Sequence, residues 1–596
     1  MTKIYDCLKS EYCFYLTINR EIELEQKCSF RNELLNIDYS ILNPNPLIAD
    51  DQTRTLIVLG TIIYHDGILP RSQVEELDLR FFERNMKSLN GQFVIYYLDK
   101  KNRKFLVITD RTASYPVFYY AEGSTLTCSL SYGEIWRRDV RLEDLDRDAF
   151  YEFLLLRRPM GTKTYDRRSR YLPPFSILEY DCKNGNLATE RYNGLNFEKF
   201  TCSFKAQAVQ LAETIKAAVE RRLTDGKHYG LLLSGGLDSR VPIAVKKDEF
   251  CCFTFSYRKN NEVRVAEEVA QIDDHQHEFL QLPHNLYDRI FPWAVYHCDG
   301  MRDFHSAALS VIAPEIAKQG IDVAFNGYAL DYILGDNYLP KKPFFLFGKI
   351  ETRISWMRRI DTDLAPFFLN TISWRYKSTP PEQLFKTNSP LDTVQNTIQG
   401  EIEFAQSFSD NLYDQYLLLT LNNLSRHSMY IEGSLLRPYL EDRTPGLDND
   451  LFDFGIRIPY HYKADYRLYK EAIRLIDPRY LEATNANTNY RTRYGQLRTS
   501  ALLLNNILKE RLGLDHVLPP KANERSWGDE QFIFKNNPGL RKVIAGYKSF
   551  SMWDILPEID KDTVFAEIQG HLSGISLNKT LMHHLLCIET MLQEKA

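Results

Sequence analysis

The sequence has little of what would place it in a specialised class of protein. Ten cysteines among 596 residues are too sparse for a disulfide framework. None falls in a CxxC pair, so neither a zinc knuckle nor a dithiol redox motif is expected. No run approaches the roughly 20 apolar residues of a membrane span. The opening MTKIYDCLKSEYCFYL lacks a cleavable-signal pattern, and a cytoplasmic protein is expected. There is no long Lys/Arg run and the formal net charge is −5. Nothing in that balance draws the chain to nucleic acid or to an anionic membrane. Internal repeats and low-complexity tracts are lacking too. What is there is an ordinary globular composition, 44% hydrophobic and 26% charged. The chain is too long for a single core.

Two patterns divide it. Residues 55–64, 92–98 and 104–109 are short β-branched or aromatic runs, with a hairpin expected at Asp99-Lys-Lys-Asn-Arg103. A strand over 175–180 follows Pro173-Pro174. Lys183-Asn-Gly-Asn186 is a turn, and Tyr192-Asn-Gly194 begins a linker. From Phe204 helices alternate with apolar strands: helices over 206–224, 240–247 and 262–271, strands over 228–233, 249–256 and 321–326. Pro242 falls in the first turn of its helix, where a missing N–H costs little. This alternation predicts a parallel sheet with helices on both faces. Beyond about residue 345 the chain reads as mainly helical. Two domains are expected, 1–195 and 196–596. Adjacent Cys251 and Cys252 should point to opposite faces of their strand as packing residues.

The most specific feature is His228-Tyr-Gly-Leu-Leu-Leu-Ser-Gly-Gly-Leu-Asp-Ser-Arg240. A buried strand feeds a turn with two glycines, two hydroxyls and one carboxylate. Gly235 and Gly236 let the backbone approach an anion closely, and turn and helix N–H groups point at it. Ser234 and Ser239 add donors. Asp238 cannot face a phosphate directly unless a cation intervenes, so it reads as a magnesium ligand. No Lys follows the glycines, which separates this turn from the Gly-rich loop ending in Gly-Lys-Ser/Thr.

Ser234-Gly-Gly-Leu-Asp-Ser239 resembles the pyrophosphate loop of the ATP pyrophosphatases, and its surroundings resemble the asparagine-synthetase family. Thr254-Phe-Ser-Tyr257, Asn261-Glu-Val-Arg-Val-Ala266 and His275-Gln-His277 are similar to that family's second strand, acidic-start helix and following His. Asp322-Val-Ala-Phe-Asn-Gly-Tyr-Ala-Leu-Asp331 resembles the strand and turn that supply its second magnesium carboxylate. Arg437-Pro-Tyr-Leu-Glu441, Ile458-Pro459 and Lys470-Glu-Ala-Ile-Arg474 resemble later family segments. Leu89-Asn-Gly-Gln-Phe93 and the stretch from Ile108 to Tyr120 resemble the glutamine-hydrolysing partner domain.

The fold this implies is α/β. An N-terminal Ntn-hydrolase-like α+β sandwich, a degenerate glutamine-amidotransferase domain, precedes a doubly wound parallel-sheet ATP-pyrophosphatase domain with a helical C-terminal part. The implied cofactors are ATP and Mg2+. Asp238 and Asp331 would hold the metal, and the 234–239 turn, Leu237 included, would cradle pyrophosphate. Leu232, Leu233, Phe255, Ser256 and Gly327 would line the nucleotide. A carboxylate would attack the α-phosphate, and an amine would displace AMP from the acyl-adenylate.

Three departures shape the expected function. The partner domain's activity needs an N-terminal cysteine, whereas Thr2 follows Met1 and the first cysteine is Cys7. Asn43-Pro-Asn-Pro46 and Leu59-Gly-Thr61 replace the expected Arg-Gly-Pro-Asp and Asn-Gly segments. No ammonia release from glutamine is therefore expected. The catalytic Lys of the family is also missing from 484–493; Arg491 or Arg493 would supply its charge, with Lys521 a distant alternative. Tyr328 stands where β-lactam synthetase carries Tyr. Paired with Glu432, preferred to Glu441, it would take a proton from an organic ammonium; a ring packed beneath the turn is the plainer alternative. The leading expectation is an amide ligase joining a carboxylate to an organic amine, within one small molecule or peptide as in β-lactam synthetase and lasso-peptide cyclases. Ammonia-dependent amidation, as in asparagine synthesis, and a non-catalytic scaffold are the alternatives. A homodimer or a biosynthetic partner protein stays open. His583-His584, the Asp273-Asp274 turn and Glu267-Glu268 are read as packing or solvated groups.

Overall fold

The computed structural model describes residues 12–595 apart from 193, 303, 337–338, 340–343, 347–349, 353–362, 374–379, 426–431, 512–529 and 576–577. Thr2, Cys7 and Lys521 lie outside the described residues.

Two antiparallel sheets stack in the first third. One runs, in spatial order, Arg170–Tyr171, Phe118–Glu122, Thr125–Ser129, Phe14–Ile18, Leu35–Tyr39, Cys28–Arg31. The other runs Leu187–Arg191, Ser176–Asp181, Lys104–Thr109, Asn90–Asp99, Arg54–Tyr64, Leu47–Asp50. Strand alternation decides the layers. Phe14, Leu16 and Ile18 meet Ile57, Leu59, Val94, Tyr96 and Leu98 between the sheets. Cys13, Tyr15, Phe118 and Tyr120 instead face the helices Tyr132–Asp139 and Arg147–Leu156. On the far side, Leu56, Val58, Phe93 and Ile95 pack on Val74 and Phe82 of two short helices. Helix, sheet, sheet, helix is the expected sandwich, and the hairpin after Asp99 joins Asn90–Asp99 to Lys104–Thr109 in the second sheet.

The second sheet system is parallel, in the order His277–Gln281, Phe250–Ser256, Tyr229–Leu232, Val323–Phe325, Glu441–Arg443. Helices cover both faces. Leu231, Cys252, Val323 and Phe325 pack against Val265, Ala266 and Val269 of the Asn261–Ala270 helix. Phe253 and Ala324 point the other way, into the core shared with the Ala308–Ala317 helix and the C-terminal helices. Cys252 is buried and Cys251 partly exposed, as alternation requires. His583 and His584 are fully buried in the Lys579–Gln593 helix, so they are packing groups rather than surface ones.

Strand order places the chemistry. The chain runs outward from Tyr229–Leu232 to the two strands on one side, then crosses back to Val323–Phe325 on the other. The carboxyl ends of these two neighbours diverge at a topological switch point, where open α/β sheets form their binding crevice. The Ser234–Ser239 turn leaves one strand there, and the 326–331 turn leaves the other.

Candidate active site at the sheet switch point

The first turn is held by its own serines. Ser234 N–H donates to Ser239 Oγ at 3.0 Å, Gly236 N–H donates to Ser234 Oγ at 3.2 Å, and Ser239 Oγ–H donates to the Ser234 carbonyl at 3.1 Å. Both hydroxyls thus shape the loop first. Leu233 and Leu237 are buried, anchoring its ends. A Cβ at Gly235 would lie 2.4 Å from that of Ala486, so only glycine fits beneath the 484–492 segment. That segment closes on the turn: Ala486 N–H donates to the Gly235 carbonyl at 3.1 Å.

The second turn fits against the first through Gly327. A Cβ there would meet the Asp238 carbonyl carbon at 2.3 Å and Ser239 N at 2.4 Å. Backbone therefore touches backbone, which brings Asp238 and Asp331 together. Oδ1 of Asp238 is sealed from solvent without a hydrogen-bond partner. Burial first, and then the charge of Asp331, push the Asp238 carboxyl well above its ordinary value. Tyr469, also buried, lies alongside with its hydroxyl lacking a partner of good geometry. Two carboxylates held close in a half-buried place suit a cation. No cluster of three or more His, Cys, Asp or Glu forms a metal site among the described residues. A two-carboxylate set suits magnesium, whose remaining ligands at nucleotides are phosphate oxygens and water.

Farther out, Tyr328 N–H donates to Asn326 Oδ1 at 3.0 Å, and its hydroxyl accepts from Tyr332 at 3.1 Å. Arg302 feels the charges of both Tyr328 and Glu432, and its Nη2 lies 3.8 Å from Glu432 Oε1. Burial pushes the Glu432 carboxyl up to about 7, against the opposing pull of Arg302. Tyr328, Arg302 and Glu432 thus form one polar group. Glu441 is committed elsewhere: its oxygens accept from Thr61 at 2.5 Å, Lys227 at 2.5 Å and Arg443 at 2.6 Å. It is not available as a base.

Leu232 ends its strand partly exposed, and Ser256, buried, accepts from Asn260 at 3.0 Å. Phe255 packs partly buried beside them. Arg493 pairs with Glu482 at 2.8 Å, with side chains 48% and 43% exposed, and Arg491 pairs with the same carboxylate at 2.6 Å.

Two residues escaped sequence reasoning. Arg240 is buried beside the turn and binds the Gly236, Gly235, Tyr480 and Thr484 carbonyls and the Thr492 hydroxyl. It is the strut that ties the turn to the 480–492 segment, and burial lowers its pKa to about 10. Glu262, in the first turn of its helix, packs against Gly235, and burial raises its carboxyl to about 7. Its position at the start of the helix after the second strand was the signal available.

Residues 210–483 match the asparagine synthase family model. The chain is 24% identical to glutamine-hydrolysing asparagine synthetase 3 of Bacillus subtilis (strain 168) over 399 residues, 63% of this chain and 62% of the relative. It is 20% identical to asparagine synthetase 1 of the same organism over 420 residues, 66% of each chain. The maize enzyme is 22% identical over 353 residues, 54% of this chain and 55% of the relative. The matches thus span less than two thirds of these relatives. A solved allosteric regulatory enzyme of purine biosynthesis overlaps 46% of this chain and 75% of its own at 5% identity and a TM-score of 0.21, too low to support any argument.

Proposed function

We propose that the chain, whose residues 210–483 match the asparagine synthase family model, is an ATP-dependent ligase of that family. It would adenylate a carboxylate and pass the acyl group to an organic amine. One observation carries this: Asp238 and Asp331, in the turns after neighbouring strands, face each other half-buried, with one Asp238 oxygen shielded from solvent. Magnesium bound there would neutralise phosphate charge and draw the nucleotide into line. The turn's N–H groups would face pyrophosphate, and the buried Arg240 would keep the loop from spreading. A substrate carboxylate oxygen attacks the α-phosphorus while the bond to pyrophosphate breaks. The organic ammonium first gives a proton to the Tyr328 oxygen while the Tyr328 hydroxyl proton passes toward the Glu432 carboxylate; the freed amine nitrogen then attacks the acyl carbon, and the bond to AMP breaks. Glu432 supports that transfer across Arg302.

An organic amine is favoured over ammonia because the N-terminal Asn90-Gly-Gln92 strip is bound to the second domain. Asn90 donates to Asp448 at 2.9 Å and accepts from Asn449 N–H at 3.2 Å. The second reading, amidation by ammonia, is favoured by the relatives' printed activity. The test supplies ATP, magnesium and a panel of carboxylates with hydroxylamine, and separately aspartate with ammonium. Hydroxamate without asparagine supports the organic-amine ligase, and asparagine supports the second reading. A protein whose melting temperature ATP and magnesium leave unchanged is a scaffold.

A further inference from the structure

Gln92 belongs to the N-terminal sandwich, yet both ends of its amide are taken by the sheet domain. Its Nε2 donates to Asp442 Oδ2 at 2.9 Å, and its Oε1 accepts from Thr444 N–H at 2.6 Å. The bonds do not stop there. Asp442 Oδ1 accepts from Asn326 Nδ2 at 3.0 Å, and Asn326 Oδ1 in turn accepts from Tyr328 N–H and from Thr444 Oγ1, each at 3.0 Å. A closed ring of hydrogen bonds thus runs from the sandwich to the backbone of the turn that carries Tyr328 and Asp331.

We propose that Gln92 is a positioning residue for the nucleotide site, acting across the domain boundary through Asp442 and Asn326. This rests on the nucleotide reading above. The turn needs such support. Ala329 sits at φ +69°, a left-handed conformation that a residue with a Cβ holds only when its surroundings impose it. One side of the turn is pressed by the Asp238–Ser239 peptide at Gly327. The other is pressed by Gly446, where a Cβ would fall 2.2 Å from the Tyr328 carbonyl oxygen. Thr444, which Gln92 binds, begins that second contact. Loss of the Gln92 amide would leave Asp442 to Arg437 alone on one side, at 3.3 Å, and let the Thr444–Gly446 corner drift. The sandwich, on this view, serves as a clamp.

The test uses the full chain and MgATP as the probe, with binding read by calorimetry. Gln92→Leu should weaken MgATP binding about tenfold, the equivalent of a displaced ligand in the site. Arg111→Leu is the control. It removes the ion pair with Asp453 and the bond to the Asn449 carbonyl at the same boundary, and touches nothing in the ring. It should lower the melting temperature but leave MgATP affinity within a factor of about two. Gln92→Glu supplies rescue. Beside Asp442, whose other charged neighbours are Arg437, Glu441 and Glu432, the new carboxyl shares a proton. Once protonated it can donate to Oδ2 and still accept from Thr444. Its deficit relative to wild type should shrink as pH falls, which a purely structural defect would not do. If Gln92→Leu fails to fold, this variant carries the test. Q92L affinity like wild type, R111L affinity like Q92L, or a Q92E deficit indifferent to pH would overturn the proposal. Wild-type chain that binds no MgATP would overturn the nucleotide reading itself, and this proposal with it.

Discussion

Asp238→Asn should stabilise the nucleotide-free protein while destroying its nucleotide site. The carboxyl of Asp238 is held well above its ordinary value by burial and by Asp331. Within the roughly 4–6 Å over which one charge shifts a neighbour's pKa, and at an effective dielectric of about 20, two carboxylates repel by about 3–4 kcal/mol. Proton uptake, favoured by the raised pKa, relieves part of this and leaves about 1–2 kcal/mol. Asparagine keeps the shape and removes the charge. At about 1 °C per kcal/mol for a chain of 596 residues, the unliganded melting temperature should rise by about 1–2 °C. The sign also appears in pH. A folded carboxyl with a raised pKa makes the fold more stable as pH falls from neutrality toward the ordinary value of 3.8, and that gain should vanish in the variant. With MgATP the order reverses: wild type at about 100-fold excess over Kd gains about 2.7 kcal/mol, and the variant gains nothing. Differential scanning fluorimetry with and without MgATP reads both effects. A variant that melts lower than wild type without ligand, or that keeps the full MgATP shift, refutes the paired-carboxylate account.

Further expectations follow from the outer group. Since the Glu432 carboxyl titrates near 7, amide formation should rise with pH through that value, and Glu432→Gln should flatten the profile with a loss of about 10²-fold or more at its plateau. Tyr328→Phe should lower kcat by a similar factor while MgATP affinity stays put; equal losses in both would place the ring in the nucleotide site instead. Arg493→Ala should abolish pyrophosphate release if that cation replaces the missing lysine. An exposed ion pair with Glu482 is worth only about 0.2–1 kcal/mol, so unchanged turnover would identify it as a surface pair. Glutamine should yield no glutamate, because Asn90 and Gln92 are consumed by Asp448, Asn449, Asp442 and Thr444; glutamate above the buffer rate would show a working hydrolase.

The middle of the parallel sheet was legible because three of its five strands carry a local apolar signature and the SGGLDS turn has few alternative readings; the edge strands His277–Gln281 and Glu441–Arg443 carry none and were not expected. The strand over 228–233 loses one residue at each end, and the helix over 262–271 lies one residue earlier, at Asn261–Ala270. The pairing of Asp238 with Asp331 could be expected from resemblance, but its cause lies in strand order, which no local pattern encodes. Arg240 was invisible for the same reason: its partners, Tyr480, Thr484 and Thr492, are more than 200 residues away. Glu432 and Glu441 could not be separated by spacing. The structure separates them by company, since Glu441 meets two cations and a hydroxyl while Glu432 is half-buried beside one. Gln92 read as one more polar residue of a strand, and its meaning comes wholly from the domain packed against it.

The central claim is that the turn at Ser234–Ser239 makes an acyl-adenylate. The direct measurement is the fate of ATP when the protein is given magnesium, a mixture of carboxylates and hydroxylamine. AMP and pyrophosphate in equal amounts, dependent on the carboxylates and lost in Asp238→Asn, are what the account predicts. ADP and phosphate as products, or AMP formation that survives Asp238→Asn, would contradict it.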